Sequence, residues 1–435
     1  MVQNVHTLLC TVEFPDEPTG DAAPSHPVQD VDSSSALLPT EAAALDRIEK
    51  QVGEMRKSVR VELNTLMSLY YRIDLEPLFA LDIGNVRSFQ AVSAETLREA
   101  LNAFMETGER EKKEDVELLL KVGAEVDTLV ERPAGGGDGE GEQQMVKESA
   151  LMGAVTFGSL EAVEILVGAG AGLEVCREGG GNEGGKRALH IACREGKPEI
   201  AEFLVASGAE VDAVTDKGVT PLLYAAQSGL LDLVRLLQRR GADVNSKTTD
   251  ALCRTSIFPA IGYGHRDVVE TLLNHGARVN DTDGKGLTPL HQTAVIFDEV
   301  PRDHRDIAEL LISRGADIHA RVESGATVLH LAAWIGALGV TELLLESGAD
   351  LHATSNDGST ALHFVARTDE SEEVESSVFQ KKKTIAELLV SKGIDVVALD
   401  GNGQTALKIA EDEQPEGSLV LPFLQQATSL ILLDT

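Results

Sequence analysis

Apolar residues recur along the chain in runs with helical spacing, such as Val234-Arg235-Leu236-Leu237 and Glu342-Leu343-Leu344-Leu345. Each run leads into a Gly-Ala pair, an acidic or polar residue and an aliphatic residue. This sequence motif begins at Gly123, Gly208, Gly241, Gly276, Gly315 and Gly348, and degenerate copies begin at Gly170 and Gly393. The distance from Gly208 to Gly241 is 33 residues, which is the period of a turn followed by two helices. The pattern therefore predicts an array of repeated helix pairs.

A second sequence motif marks the start of the first helix in each unit. It reads RALH from Arg187, TPLL from Thr220, TPLH from Thr288, TVLH from Thr327 and TALH from Thr360. Threonine caps a helix by satisfying otherwise unpaired N–H groups, and proline fits the first helical position. Glycine ends the second helix where the chain needs a left-handed φ. One unit cannot bury its apolar face alone, so the units are expected to stack.

The histidine in this motif could bind a metal, act as a general base or belong to the scaffold. It returns at the same phase as His190, His291, His330 and His363. A catalytic histidine is needed once, whereas a residue that recurs in every unit is more naturally part of how the unit is built. We therefore predict a structural role for all four histidines.

The repeated unit resembles the ankyrin repeat, whose pattern is G-x-TPLHxAxxxGHxxVVxxLLxxGADVN. The resemblance implies an all-α solenoid of stacked helix-turn-helix units joined by short β-turn or hairpin connections. We expect about eight to nine units over residues 93–435, with degenerate units at 95–127 and 405–432. In the unit from Thr255, Pro259 stands two positions late, so an irregular helix start is expected. The family's histidine bonds the backbone of the turn and bridges adjacent units.

Four insertions interrupt the repeat, and we expect them to lie in loops. They cover residues 132–144, 177–186, 295–304 and 368–382. The first two are rich in glycine, but they lack the spacing of a phosphate-binding loop. Their role is left open.

The first 92 residues lie outside the repeat. Residues 1–40 contain no Lys or Arg, six acidic residues and five prolines, which predicts a disordered tail. Residues 41–72 place Leu45, Val52, Val59 and Leu66 seven apart, which predicts an amphipathic helix. That helix either folds back on the protein or pairs weakly between two chains. Residues 73–92 are read as a connector.

The overall charge limits the classes of partner. The formal net charge is −33, so the chain lacks the basic surface that nucleic acids and anionic membranes require. The charge favours solubility first and a preference for basic partners second. Four cysteines without paired spacing suit a reducing compartment. Because the sequence has no leader-like segment and no long apolar run, the expected location is the cytosol, with the nucleus as an open alternative.

No constellation of residues predicts an enzyme. The HExxH, GxSxG and calcium-loop motifs and the nucleotide fingerprints are absent from the sequence. We therefore expect no catalytic residue, no cofactor and no metal.

The resemblance implies protein binding on a concave surface built from first helices and turn tips. The exposed helix positions are the two that precede the central glycine of each unit. They give the candidates Arg194, Glu195, Gln227, Tyr263, Trp334 and Ile335. The turn tips add Asp216, Lys217, Glu323, Asn356 and Asp357, whose acidic members suit a basic partner. Tyr263, Trp334 and Ile335 are the expected anchors, although Trp334 could instead pack on the next unit.

Three functions stay open at this point. The first is a scaffold or adaptor that binds one protein partner in the groove. The second is an oligomeric adaptor that dimerises through residues 41–72. The third is an enzyme or enzyme-complex subunit with an unrecognised activity near the N-terminus.

Overall fold

The structure is a computed structural model, and it describes residues 94–122, 124–133, 145–179, 184–297, 300–301, 303–368, 376–414 and 418–434. All of these residues lie within one compact unit, Gly84–Thr435. The expected tail at 1–40, the heptad helix at 41–72 and the connector at 73–92 lie outside the described residues.

The described residues form nine successive helix pairs. The first four are α1 Ala94–Thr107 with α2 Arg110–Val122, α3 Ala150–Phe157 with α4 Leu160–Gly168, α5 Ala188–Arg194 with α6 Pro198–Ala206, and α7 Pro221–Gln227 with α8 Leu231–Arg239. The other five are α9 Ile257–Gly262 with α10 Arg266–Asn274, α11 Pro289–Gln292 with α12 Arg305–Ser313, α13 Val328–Ile335 with α14 Leu338–Glu346, α15 Ala361–Ala366 with α16 Ser376–Ser391, and α17 Ala406–Glu413 with α18 Val420–Asp434. In each pair the odd-numbered element is called the first helix.

The predicted capping chemistry sets where the first helices begin. Thr220 is extended, and its hydroxyl accepts a hydrogen bond from the N–H of Leu223 at 3.2 Å. Pro221 takes the first helical position, where the missing N–H has no partner to lose. In the unit that starts with Thr255 the cap differs, because Ser256 is helical rather than extended and makes no side-chain cap. Pro259 falls within the first turn of α9 and so leaves that helix intact.

One aliphatic core runs through the stacked units. Leu97 in α1 and Ala427 in α18 belong to the same cluster of buried residues. Leucine, valine, isoleucine and alanine make up nearly all of this cluster, and Phe104 and Phe258 are its aromatic members. Because neighbouring units share the core, the array holds its surface residues on a rigid frame.

The turn tips are joined from unit to unit by backbone hydrogen bonds. The N–H of Thr249 donates to the carbonyl of Lys217 at 2.8 Å, and that of Asn356 donates to Ser324 at 2.9 Å. Gly218 has a φ of +71°, and a Cβ there would lie 2.7 Å from the amide nitrogen of Thr249. Glycine is thus required at this tip both by its conformation and by the approach of the next unit.

The insertions carry more regular structure than the expected loops. Strands β1 Val130–Pro133 and β2 Met145–Glu148 pair antiparallel and flank the first insertion. Lys147 of β2 pairs in turn with Glu178 of the second insertion. Strands β3 Ile296–Phe297 and β4 Val300–Pro301 form a short hairpin in the third insertion.

The fourth insertion differs from the expectation most clearly. Residues 376–382 are not a loop, because α16 begins at Ser376 and runs for 16 residues. Val378 and Lys382 of this extension pack against the turn at Gly336, where a Cβ would meet each of them at 3.4 Å. The Lys382 ammonium is buried and donates to the carbonyl of Arg367 at 2.7 Å. The extension therefore covers the end of α13.

Candidate functional site

The four recurrent histidines belong to the scaffold. Each is at most 1% exposed, and each ring Nδ1 accepts a hydrogen bond from a backbone N–H three residues earlier. In three of them Nε2 then carries the proton and donates to a carbonyl of the following turn. These bonds join His190 to Ala213 at 3.0 Å, His330 to Ser359 at 3.2 Å and His363 to Gln404 at 3.2 Å.

Burial keeps these rings neutral. It outweighs the opposing effect of the hydrogen bonds and lowers the pKa of His190, His291 and His330 to about 4. Burial also lowers the pKa of His363. Rings that are enclosed and hydrogen-bonded in this way cannot reach a substrate, so they supply structure rather than chemistry.

The predicted helix positions lie at the ends of first helices. Arg194 ends α5, and its guanidinium pairs with the carboxylate of Glu195 at 2.7 Å. Gln227 ends α7, and its side-chain amide donates to the hydroxyl of Tyr263 in the next unit at 3.3 Å. The structure thus brings Gln227 and Tyr263 together, while Arg194 and Glu195 neutralise each other.

Tyr263 is held in place by its neighbours. It is half-buried, and its ring stacks on His265 with centroids 6.2 Å apart. Nε2 of His265 lies 3.1 Å from the carbonyl of Gln227. A preorganised aromatic ring loses little conformational entropy on binding, which suits an anchor residue.

The two predicted positions in α13 behave differently. Trp334 is half-buried and packs against the core, so it is neither a free anchor nor fully enclosed. Ile335 is only 5% exposed, and the expectation that it lies on the surface is wrong. The physical reason is the extension of α16, whose Val378 packs against the turn directly after Ile335.

The sequence analysis missed Phe157. This side chain is 52% exposed at the end of α3, directly before Gly158. It holds the position that Tyr263 holds before Gly264 and Ile335 before Gly336. The signal was present, because the same two-residue rule applied to the weak unit that opens at Ser149 would have found it.

The predicted tip residues are all exposed, and most are tied into the array. The N–H of Asp216 lies 3.4 Å from the carbonyl of Gly184, and the carbonyl of Lys217 accepts from Thr249. The side-chain amide of Asn356 donates to the carbonyl of Glu323 at 2.9 Å. These tips form a fixed edge beside the first helices.

Asp357 is the most strongly stabilised carboxylate of that edge. Burial opposes its ionisation, but hydrogen bonds from Ser355, Ser359 and Arg367 outweigh burial and hold the pKa of the carboxyl well below its usual range. The Arg367 guanidinium lies 3.0 Å from the carboxylate. Much of the charge of Asp357 is thus already compensated within the protein.

Two further features bear on the chemistry of the described residues. Among them, no group of three or more His, Cys, Asp or Glu side chains is placed to hold a metal ion. None of the helices they form is long and apolar enough to cross a membrane.

Stacked helix pairs with hydrogen-bonded turn tips and a bridging histidine define a helical-repeat solenoid. A family model for ankyrin repeats in three copies matches residues 97–214, 151–248 and 247–322. A second model, for ankyrin repeats in many copies, matches residues 311–365. The chain belongs to the ankyrin-repeat family. Ankyrin repeats are general protein–protein interaction modules, and proteins of the family are typically non-enzymatic scaffolds.

The similarity to other proteins covers part of each chain. Ankyrin repeat and KH domain-containing protein 1 of Homo sapiens is 34% identical over 102 residues, which are 23% of this chain and 4% of that protein. E3 ubiquitin-protein ligase KEG of Arabidopsis thaliana is 35% identical over 112 residues, which are 26% of this chain and 7% of that protein. A putative ankyrin repeat-containing protein of Treponema pallidum is 32% identical over 144 residues, which are 32% of this chain and 45% of that protein. This chain thus spans less than half the length of each of these relatives.

Among solved structures, the human ASB11 ankyrin repeat domain aligns with a TM-score of 0.46 and 26% identity. The alignment covers 56% of this chain and 98% of that domain.

Proposed function

We propose that this protein is a scaffold or adaptor that binds a protein partner on its groove face. The groove face is defined as the surface formed by the ends of the first helices and the turn tips. Its central part carries Gln227, Tyr263 and Trp334, and the tips Asp216 and Lys217 lie along one edge.

The observation that carries this proposal is the placement of accessible aromatic rings at the two positions that precede the glycine after a first helix, on a rigid array. Phe157, Tyr263 and Trp334 all stand within two residues of the glycine that ends or follows a first helix. Phe157 is half exposed, and the other two rings are partly accessible. Aromatic side chains at such positions are typical anchors of protein interfaces.

The remaining hypotheses stay predictions. A partner with basic groups suits the net charge of −33, although Arg194 and Arg367 neutralise part of the acidic groove face. The three cysteines of the described chain are unpaired, which fits the reducing cytosol that we propose as its location. Dimerisation through residues 41–72 and an N-terminal activity concern residues outside the described ranges, and no described feature favours either.

The proposal is tested by proximity labelling in cells with the full chain. The groove variant combines Tyr263→Ala with Trp334→Ala, and the control variant combines Glu202→Ala with Glu309→Ala on second helices. We expect the groove variant to lose specific labelled partners that wild type and control retain, with helicity by circular dichroism equal in all three. Retention of every partner by the folded groove variant would show that the groove face is not the binding surface.

A further inference from the structure

A cleft of about 450 Å³ opens on the groove face between the first two units. Helices α1 and α3 form its walls, and the turn that leads into β1 closes one end. The lining includes Leu101, Asn102, Met105, Gly153 and Phe157. A volume of ~300–1,000 Å³ is the range in which proteins bind compact ligands, so the cleft can take a bulky side chain.

Two other units place an aromatic ring where this cleft lies. In α15, Phe364 packs edge-on against His330 of the preceding unit, with ring centroids 4.9 Å apart. In α7, Tyr224 stands edge-on to His190 of its preceding unit at 6.2 Å. An aromatic ring thus fills the space between these neighbouring first helices.

Neither position of that pair carries a ring in the first two units. Gly153 is five residues before Gly158, as Tyr224 is before Gly229. Asn102 is six residues before Gly108, as His190 is before Gly196. A Cβ on Gly153 would meet one atom of a neighbouring side chain, Oε1 of Glu148, at an ordinary 3.7 Å. Room for a side chain is therefore available and unused.

The exposed face of α1 beside the cleft lining, here called the rim, is acidic. Glu95, Glu99 and Glu106 are exposed on the helical stripe that contains Asn102, since they lie three, four or seven residues from it. None of the three forms an ion pair with another described residue. Glu125 adds a further carboxylate to the lining.

Two other charged groups line the cleft. Arg98 supplies a positive charge, and its guanidinium donates to the carbonyl of Glu131 at 3.1 Å. The carboxylate of Glu148 is compensated by its buried partner Arg177. Four carboxylates against one guanidinium make the rim negative, around a lining of mixed apolar and polar groups, and a negative rim complements a cationic peptide.

We propose that this cleft is a specificity pocket for a partner peptide with a bulky apolar residue flanked by Lys or Arg. The inserted side chain takes the place that Phe364 and Tyr224 fill in their own units, against Met105 and Phe157. The flanking basic groups lie over Glu99 and Glu106. This inference rests on the proposed function, because it names the partner chemistry for one end of the groove face.

The test uses the full chain and short synthetic peptides. One set carries a central Phe or Leu flanked by Lys and Arg; matched sets replace the apolar residue with Ser or the basic residues with Glu. Wild type is expected to bind the first set, and Gly153→Leu, which fills the cleft, to bind it at least about tenfold more weakly. Gly168→Leu is the matched control, because it is an exposed helical glycine of α4 with open space around it.

A second variant tests the rim. Glu99→Lys combined with Glu106→Lys should abolish the preference for basic over acidic peptides while Phe and Leu remain preferred over Ser. Equal binding of the basic set by wild type and Gly153→Leu would overturn the proposal, as would the absence of binding to any set. If Gly153→Leu instead speeds hydrogen exchange in residues 41–72, the cleft holds a segment of this chain and the peptide proposal is wrong.

The outcomes separate this proposal from the broader one. If Gly153→Leu keeps all partners that Tyr263→Ala with Trp334→Ala loses, the groove face binds and the cleft does not. If the peptides require the cleft but the Tyr263/Trp334 variant keeps every partner, binding is confined to the first two units.

Discussion

Acid should destabilise this protein through its buried histidines, and His330→Leu tests that directly. Leucine is a conservative choice because Leu223 already stands at the same place in another unit. His330 is fully buried, and burial is the main cause that lowers its pKa from 6.5 to about 4. Its hydrogen bonds to the carbonyls of Ser359 and Ala353 offset part of that effect.

The direction follows from proton binding. Between pH 6.5 and 4 the unfolded chain binds a proton at residue 330 that the folded chain does not. The stability of the wild type is therefore fully present above pH 6.5 and falls as the pH drops towards 4. A pKa lowered from 6.5 to about 4 corresponds to about 3 kcal/mol per histidine at the acidic end. His190 and His291 add comparable contributions.

His330→Leu removes one of these contributions. At neutral pH the variant should be less stable by about 1–3 kcal/mol, because the N–H of Thr327 loses its acceptor, the ring Nδ1 at 3.1 Å. Between pH 6.5 and 4 its stability should fall by about 3 kcal/mol less than that of the wild type. The two stability curves should therefore converge or cross as the pH is lowered.

Urea unfolding at several pH values and constant ionic strength measures both effects. Trp334 is the only tryptophan and lies one turn after His330 in α13, so its fluorescence reports on the affected unit. The control is His352→Asn, which replaces an exposed histidine at the place where other units carry Asn. Parallel wild-type and His330→Leu curves between pH 6.5 and 4 would refute the reasoning.

Two other predictions concern stability. Glu148→Gln should lower the free energy of unfolding by about 3–5 kcal/mol, because it removes the carboxylate charge that is paired with the buried Arg177 guanidinium. Thermal denaturation measures the loss, and a change below about 1 kcal/mol would contradict the prediction. Gly218→Ala should cost more than Gly208→Ala in urea unfolding. Both glycines have a positive φ, but only at Gly218 would a Cβ come close to backbone, namely the amide nitrogen of Thr249. Equal losses of unfolding free energy in the two variants would show that φ alone sets the penalty.

The sequence predicted the parts of the fold that each unit repeats. Threonine caps, the phase of His190 and His330 and the glycine that ends each second helix are local signals, so every copy reinforces the same interpretation. The α16 extension could not be predicted in this way. It occurs once, and the residues around Ser376 carry no repeat signal against which a helix start could be aligned.

The candidate site was predicted less completely than the fold, and Phe157 and Ile335 show why. Both side chains come directly before a left-handed glycine that ends a first helix, so the register treats them alike. Yet one is 52% exposed and the other 5%. The difference comes from Val378 and the rest of the α16 extension, which covers the end of α13. The position of a residue within the repeat predicts whether it faces the groove, but the neighbouring insertion determines whether it remains accessible.

The same contrast indicates where specificity can arise in a repeat array. Residues that build the core or bridge the units are constrained in every copy, so they cannot distinguish one partner from another. A departure such as Gly153, which leaves out a ring that Tyr224 and Phe364 supply elsewhere, costs some packing between units. It also opens the cleft between α1 and α3. Binding selectivity in this protein is therefore expected to follow the irregular units, and the Gly153 cleft is the departure that presents both a cavity and a charged rim.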